Sequence, residues 1–372
     1  MDALKALATP EARKDPYPIL QWLRTHEPVH RTSAGFYLVT RYEDVLRVLQ
    51  GTGTEFLGPD ARRLSSQYPG ALVHRSQQLF LNSVAMKNPP EHTGLRRLID
   101  GGLDASRTGP FRRGVERCCD ELLDSIAGPL ADGDGVDLHA AFSVPLARHT
   151  VSRVIGVPPS DGAWLSDLIA GIYPAIMPLT AARDAAYEQM IDTADEKSAV
   201  LESYLTDLMA RRTADAPGTG LLAALANPDR PRFLTGEADT ALRFVDESIR
   251  LFGSSLFAGV VRIAAGDVEL SGTAVPAGSD VRPSTAAANR DPAVFPDPDA
   301  FSIARDNARM LGYGAGMRQC PGTDLARDVM ALAAGRLFGR FAGLVNAGEE
   351  TLQEFVATRL VSRLPVALGE RG

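Results

Sequence analysis

The chain has 372 residues, a formal net charge of -7 and three cysteines. That length suffices for one large helical domain. Mild acidity excludes a broad electrostatic attraction to nucleic acid or an anionic membrane, and three cysteines, two of them adjacent at 118 and 119, exclude a disulfide framework. No apolar run reaches the about 20 residues of a spanning helix, and Met1-Asp2-Ala3-Leu4-Lys5 does not resemble a signal peptide, so a cytoplasmic protein is expected. In chain order, Asp15-Pro16 precedes an amphipathic helix ending near Thr25. Phe36, Leu38 and Thr40 then alternate with Tyr37, Val39 and Arg41, the pattern of a half-buried strand, and Glu43 to Leu49 returns to helical spacing. From Phe111 to Arg212 the sequence predicts a series of helices broken at Gly128-Pro129, Gly133-Asp134-Gly135 and Pro158-Pro159.

Residues 213–232, rich in Gly, Pro, Asp and Ala, predict a connection, and Leu242 to Leu251 predicts another buried helix. Short strands and turns are expected from Arg262 to Val281, a last helix from Pro321 to about Phe341, and closing strands over Phe355 to Leu360 and Pro365 to Leu368. The fold class is therefore mainly α (α+β), helix dominant with small sheets.

The chemistry concentrates in Tyr313-Gly314-Ala315-Gly316-Met317-Arg318-Gln319-Cys320-Pro321-Gly322. Glycines at 314 and 316 allow tight turning and close approach to a flat ligand. Cys320 stands just before a helix, where Pro321 suits the first position and the helix N-terminus stabilises a thiolate. Arg318 is a donor for an anionic group two residues away. A buried structural cysteine beside a glycine turn is the plainer alternative.

This run resembles the haem-binding signature of the cytochrome P450 superfamily, Phe-Gly-x-Gly-x-His/Arg-x-Cys-x-Gly, with Tyr313 in place of the usual Phe. The likeness extends over nearly the whole chain. Asp15-Pro16-Tyr17 and Glu27-Pro28-Val29 resemble the family's N-terminal region, Pro89 to Arg97 its C-helix motif, and Glu247-Ser248-Ile249-Arg250 its Glu-x-x-Arg. Ala288-Asn289-Arg290-Asp291-Pro292 and Phe295-Pro296-Asp297-Pro298 resemble the stretch that leads to the cysteine loop. The resemblance implies one P450-like domain over residues 1–372, haem b (iron protoporphyrin IX) as cofactor and Cys320 as its metal ligand. It implies a cofactor cradle of His92, Arg96, Arg262, Tyr313, Gly314, Arg318 and Gly322. His92 and Arg96, four apart on one helix face, match family propionate ligands, as does Arg262. Glu247 and Arg250 form the family's structural pair, completed by a further arginine for which Arg290 and Arg305 are both candidates. Ser254 to Ala258 corresponds to a substrate-contacting segment, so Leu256 and Phe257, with Met86, are expected to line a pocket. The histidines 26, 30, 74, 139 and 149 show no ligand spacing and are read as structural.

One family feature is missing. Counting back from Glu247 to the expected place of the acid–alcohol motif, Ala/Gly-Gly-x-Asp/Glu-Thr, lands in Arg211-Arg212-Thr213-Ala214, which does not match it. Gly236-Glu237-Ala238-Asp239-Thr240 is similar, but Thr240 lies only about 10 Å of helix from Glu247. It caps or begins the Glu247 helix in this reading. Leu221 to Asp229 resembles what normally follows the central helix, so the distal central helix is expected to be shortened or missing. Proton delivery during dioxygen activation then falls to water, substrate, Thr240 or Ser255. The expected function is oxidative tailoring of a small natural-product molecule, with a ferredoxin and ferredoxin reductase as partners. The alternatives are a redox-neutral or peroxide-driven haem enzyme, or a non-catalytic P450-like helper of a glycosyltransferase. The shortened centre also leaves an apolar seam to cover.

Overall fold

The computed structural model describes residues 2–58, 73–106, 109–176, 185–214, 239–259, 261–353 and 357–369. The chain divides into two compact units, each drawn from separated stretches: Met1–Gly58, Cys119–Val144 and Gly236–Gly372 in the first, and Pro59–Cys118 with Pro145–Thr235 in the second. Among the described residues, no helix is long and apolar enough to cross a membrane.

The first unit is organised by a five-stranded sheet of β1 (Val29–Arg31), β2 (Tyr37–Val39), β3 (Phe56–Leu57), β5 (Arg262–Ala264) and β8 (Asp280–Pro283), in the order β1-β2-β8-β5-β3. β2 lies parallel to β8, pairing Tyr37 with Val281, and the other neighbours are antiparallel. Leu38 and Val39 are wholly buried and Tyr37 nearly so. The sequence predicts a strand with one wet face; the strand is instead covered on both. Leu38 packs with Leu20 and Leu23 of helix α1 (Tyr17–His26), while Tyr37 and Val39 pack with Tyr42, Val45, Val48 and Leu49 of α2 (Tyr42–Gln50). The first turn of α2 receives a partner from far along the chain, its Tyr42 amide donating to Asp291 Oδ2 at 2.9 Å. Such caps satisfy amides that a helix start leaves open.

The same unit contains the hairpin of β6 (Val268–Leu270) and β7 (Thr273–Val275). Its two-residue turn places Ser271 and Gly272 at φ 43° and 77°, the left-handed geometry that suits the twist of a hairpin. A three-stranded sheet joins β4 (Val136–Asp137), β12 (Pro365–Leu368) and β9 (Leu344–Asn346). The expected strand over Phe355 to Leu360 does not form as such. Residues 354–356 lie outside the described residues, and Thr358 makes only an isolated bridge to Ser255.

The second unit is helical. It contains α3 (Arg75–Asn82), α4 (Glu91–Ser106), α6 (Val144–Ile155, after its first residue), α7 (Gly162–Ile176) and α8 (Ala185–Ala214). Val157, Leu165, Leu168 and Leu208 form one apolar cluster and Ala175, Ile191 and Ala194 another, so α8 is seated along α7. Asp195 of α8 also holds the start of α3, accepting from the Ser76 amide at 2.8 Å and the Ser76 hydroxyl at 2.6 Å. The break expected at Gly128-Pro129 falls later: α5 (Gly109–Ala131) carries Pro129 in its last turn and ends before Gly133, whose φ is 83°. A proline so near the end forfeits little of the helix ladder, whereas a left-handed glycine terminates it. The break at Pro158-Pro159 is where the sequence places it.

α9 (Asp239–Phe252) carries Glu247 and Arg250, and α10 (Thr323–Arg340) follows the cysteine loop. Only residues 215–238 separate α8 from α9. The predicted connection at 213–232 and the Leu221 to Asp229 resemblance lie almost wholly outside the described residues; Thr213 and Ala214 still belong to α8.

Candidate haem-thiolate site

The site is built outward from α9. Glu247 and Arg250 are three residues apart on this helix and essentially inaccessible. Arg250 clamps the carboxylate with Nε at 2.7 Å from Oε2 and Nη2 at 2.8 Å from Oε1. Its remaining donors reach main-chain carbonyls of Asn289 at 2.9 Å, Pro298 at 2.7 Å and Ala300 at 3.2 Å. Arg305 donates from Nε to Glu247 Oε1 at 3.1 Å, and from its other nitrogens to Pro296, Asp297 and Ala300 carbonyls. The third member of the pair is therefore Arg305. Arg290 is engaged elsewhere, with Asp299 at 2.7 Å, with the Leu251 carbonyl at 2.9 Å, and over the Tyr17 ring at 3.3 Å. Burial would raise the Glu247 pKa, but hydrogen bonds from Arg250 and the Ser302 amide, with the charges of Arg250 and the bond from Arg305, outweigh it and hold it at about 2. The carboxylate is thus a permanent anion at the centre of two arginine forks, a structural group and not an acid.

This network fixes the cysteine loop. Asn289, whose carbonyl accepts from Arg250, uses its side-chain oxygen to accept from the Leu311 amide at 2.7 Å. The next residue, Gly312, runs so close to α9 that a Cβ would fall 2.3 Å from Ile249 Cγ2. The loop then turns back: Gly314 N–H donates to the Leu311 carbonyl, Gln319 N–H to Gly316 and Cys320 N–H to Tyr313, all at 2.9–3.0 Å. Gly314 and Gly316 have φ of 75° and 71°, and a Cβ on Gly316 would sit 2.8 Å from the Leu49 carbonyl of α2. Glycine at 316 is required twice over, by backbone conformation and by space. Three ion pairs hold α10, the helix that leaves the loop. Arg327 forms a two-point pair with Asp246 of α9 at 2.7 and 2.6 Å, and Arg336 and Arg340 pair with Asp120 and Asp124.

Cys320 is exposed, at the surface of its unit and not in a filled interior. Its carbonyl accepts from Thr323 Oγ1 at 2.7 Å, and α10 begins at Thr323, so Pro321 precedes the helix and does not open it. In the same unit lies Arg262, almost wholly buried on β5, its Nε donating to Thr52 Oγ1 at 2.8 Å. Burial, and then the like charge of Arg318, push its pKa down to about 10; burial also lowers Arg318. Two guanidiniums that repel in a dry setting are stabilised by an anion set between them. The Tyr313 hydroxyl is buried without a hydrogen-bond partner, and burial, followed by the charge of Asp246, drives its pKa up to about 12. One soft sulfur donor, a loop with glycines where side chains do not fit, and paired cationic donors fit an iron porphyrin bearing propionates. Cys320 would hold the iron, with Arg262 and Arg318 on a propionate.

The other predicted residues fall as follows. His92 and Arg96 lie on α4 of the second unit, His92 buried and Arg96 giving its Nε to Asp100 Oδ1 at 2.7 Å, so part of this guanidinium is already committed to a carboxylate on its own helix. Met86, also in that unit, is buried in the short Val84–Met86 turn. Leu256 and Phe257, expected on a pocket wall, are core residues packed with Leu7, Leu20, Leu38 and Ala287. Ser255 is half-buried and its carbonyl accepts from Thr285 Oγ1. Thr240 is the second residue of α9, on the same helix as Glu247, as its spacing predicts; its side chain lies outside the described residues. Gly322 caps α10, and a Cβ there would lie 4.0 Å from the Cys320 sulfur. Sequence reading missed Thr52, Asp246 and Arg327, which no local motif marks because each acts on a residue far along the chain; Asn289 lay in a quoted motif without an assigned role.

A profile of the family described as Cytochrome P450 matches residues 242–365, the stretch from the Glu247 helix through the cysteine loop to the last sheet. Cytochrome P450 BJ-3 of Bradyrhizobium diazoefficiens is 31% identical over 423 aligned positions, covering 100% of this chain and 97% of that protein. The chain belongs to the cytochrome P450 superfamily. Because that alignment is longer than the 372 residues of this P450, about fifty of its positions have no counterpart here. Nocardicin C N-oxygenase of Nocardia uniformis is 29% identical, with 89% of each chain covered. The structure of P450BioI in complex with an acyl-ligated acyl carrier protein superimposes with a TM-score of 0.81 at 23% identity, over 96% of this chain and 100% of that one, which establishes the fold.

Proposed function

We propose that this P450 is a haem-thiolate oxidoreductase that tailors a small natural-product molecule, with residues 1–372 acting as one domain in the cytoplasm. The observation that carries the reading is the Cys320 loop, held on α9 by the Glu247 network with Arg262 and Arg318 beside it. Haem b, when bound, supplies oxidation of unactivated substrate positions using two electrons from a ferredoxin and its reductase. The protein's part is to present the Cys320 sulfur just before α10 and to hold propionates on Arg262 and Arg318. Nocardicin C N-oxygenase, a relative named for an oxygenation, supports an enzymatic reading over that of a helper for a glycosyltransferase.

The second element of the proposal is a non-standard route for protons. Thr240 lies on the Glu247 helix itself, and the usual acid–alcohol pair on a central distal helix has no counterpart among the described residues, with 215–238 outside them. Substrate hydroxyls or water deliver protons in its place. The same observation favours one alternative chemistry, in which peroxide replaces dioxygen and electrons, or the net reaction is redox-neutral. The test begins with the spectrum of the purified protein, reduced under carbon monoxide, where the band of a thiolate-ligated haem is expected. Turnover under labelled dioxygen with a ferredoxin system then separates the routes. Labelled oxygen in the product supports dioxygen activation, and turnover only with added peroxide, or with no oxidant, supports the alternative. A protein that takes up no haem would remove the proposal.

A further inference from the structure

The first unit holds a cavity of about 190 Å³ between α1 and the stretch that follows the short Thr285–Ala288 helix, and none of its lining residues belongs to the cysteine loop. Two arginines line it, Arg24 from α1 and Arg290 from the far stretch. Arg24 is only 9% exposed, yet it gives the protein a single donor, Nη1 to the Ala287 carbonyl at 2.9 Å. A guanidinium carries five N–H donors, so most of this fork is left for the cavity. Among the described residues no carboxylate stands within ion-pair distance of Arg24. Asp291 and Asp299 act on its charge from further off, and both Asp291 oxygens are taken by the Tyr42 and Ala293 amides. Arg290 pairs with Asp299 and with the Leu251 carbonyl through its terminal nitrogens and lies over the Tyr17 ring, but its Nε is buried without an acceptor. Burial lowers the Arg24 pKa, Asp291 and Asp299 offset this in part, and the like charge of Arg290 deepens it. A buried cation is stable beside an anion or a full set of acceptors, and the described residues give Arg24 neither.

We propose that this cavity binds a small monocarboxylate, its anionic end on the unpaired donors of Arg24 and its short alkyl body against Pro18, Leu20 and Ala287. The fork of a guanidinium meets a planar carboxylate at two points, which sets the head group. The charge at the mouth sets its valence. Asp15 and Asp299 also line the cavity, and both are exposed. Beside two arginines they leave a place for one negative charge and repel a doubly charged phosphate. The apolar wall sets the tail, because an oxyanion hydrated on every side gains nothing from Pro18, Leu20 and Ala287. Volume sets the size. At about 30 Å³ for each water, the cavity holds roughly six, the number of non-hydrogen atoms in a four-carbon carboxylate.

The test is isothermal titration of the purified full chain with sodium butyrate, with the haem Soret band followed in parallel. One site is expected, with a Kd on the order of 1 mM, and the Soret band should not move, because the cavity lies apart from the cysteine loop. Arg24→Met keeps an unbranched stem and removes the fork; it is expected to weaken binding at least about tenfold with far-ultraviolet circular dichroism intact. Gln21→Glu adds a negative charge at an exposed position of α1 on the cavity wall, and a loss of about threefold is expected. That variant decides the matter should Arg24→Met unfold. Inorganic phosphate is expected to bind at least about tenfold more weakly than butyrate. Absence of saturable butyrate binding, binding undiminished in Gln21→Glu, phosphate bound as tightly as butyrate, or a Soret shift that follows the isotherm would each overturn the proposal. The isotherm is independent of the haem assignment, which is read from the carbon monoxide spectrum.

Discussion

Two charged clusters of the first unit, one around Glu247 and one around Cys320, differ in how complete they are. Around Glu247, protein atoms alone close the account: one carboxylate, two arginine forks, five carbonyls and an amide, with Glu247 and Arg250 out of reach of water. Around Cys320 the balance differs. Burial and the charge of Arg318 depress Arg262, burial depresses Arg318, the Tyr313 hydroxyl is buried without a hydrogen-bond partner, and the sulfur is open. The first cluster is finished by folding, and in the proposed reading the second is finished by a bound haem.

That contrast can be broken most severely at the sulfur. Cys320→Ala is expected to abolish stable haem binding with little change in the fold; a variant that kept a normal carbon monoxide difference band would end the ligand assignment. Next in size, Glu247→Gln should lower stability by about 3–5 kcal/mol, because removing one partner leaves two buried guanidiniums uncompensated. Urea unfolding would read this, and a midpoint unmoved from wild type would show that the network is not structural. The same cluster predicts a pH dependence. The Glu247 pKa falls from 4.5 when unfolded to about 2 when folded, so its contribution is fully present above 4.5 and drains away as pH drops toward 2. Unfolding midpoints across that window should fall less steeply in Glu247→Gln than in the wild type, and parallel curves would contradict the assignment.

Smaller effects sharpen the second cluster. Arg262→Gln is expected to loosen haem by roughly tenfold while easing the repulsion on Arg318, so haem retention falls as apoprotein stability holds or rises. A loss of both together would mark Arg262 as simply structural. Least of all, Thr240→Ala should change turnover by less than about twofold, since Thr240 lies on the helix that bears Glu247. A large loss of coupling between oxidant and product would place it in the distal pocket after all.

Much of this was legible in the amino-acid string. The turn at Ser271-Gly272 and the helices ending near Thr25, over Glu43 to Leu49 and over Leu242 to Leu251 follow from local turn chemistry and periodicity, and the order of Glu-x-x-Arg before the glycine–cysteine loop from the family resemblance. Where reading failed, the missing term was the neighbour. Tyr37 to Val39 reads as a strand with one wet face because alternation cannot report a second layer, and Leu256 and Phe257 read as pocket residues although Leu20 and Ala287 enclose them. Arg290 and Arg305 were equivalent on paper; the path of the chain around Pro296 to Ala300 gives Glu247 to Arg305 and leaves Arg290 on Tyr17 and Asp299.

By itself, then, the sequence determined the family and the place of the glycine–cysteine loop after Glu-x-x-Arg, because these are matters of residue type and spacing that no packing can alter. The tertiary structure alone decided which arginine closes the buried carboxylate, which glycine lacks room for a side chain, and that Arg24 and Arg290, far apart in the chain, line one cavity. Those depend on distances between residues from tens to hundreds of positions apart, and such distances exist only once the chain has folded.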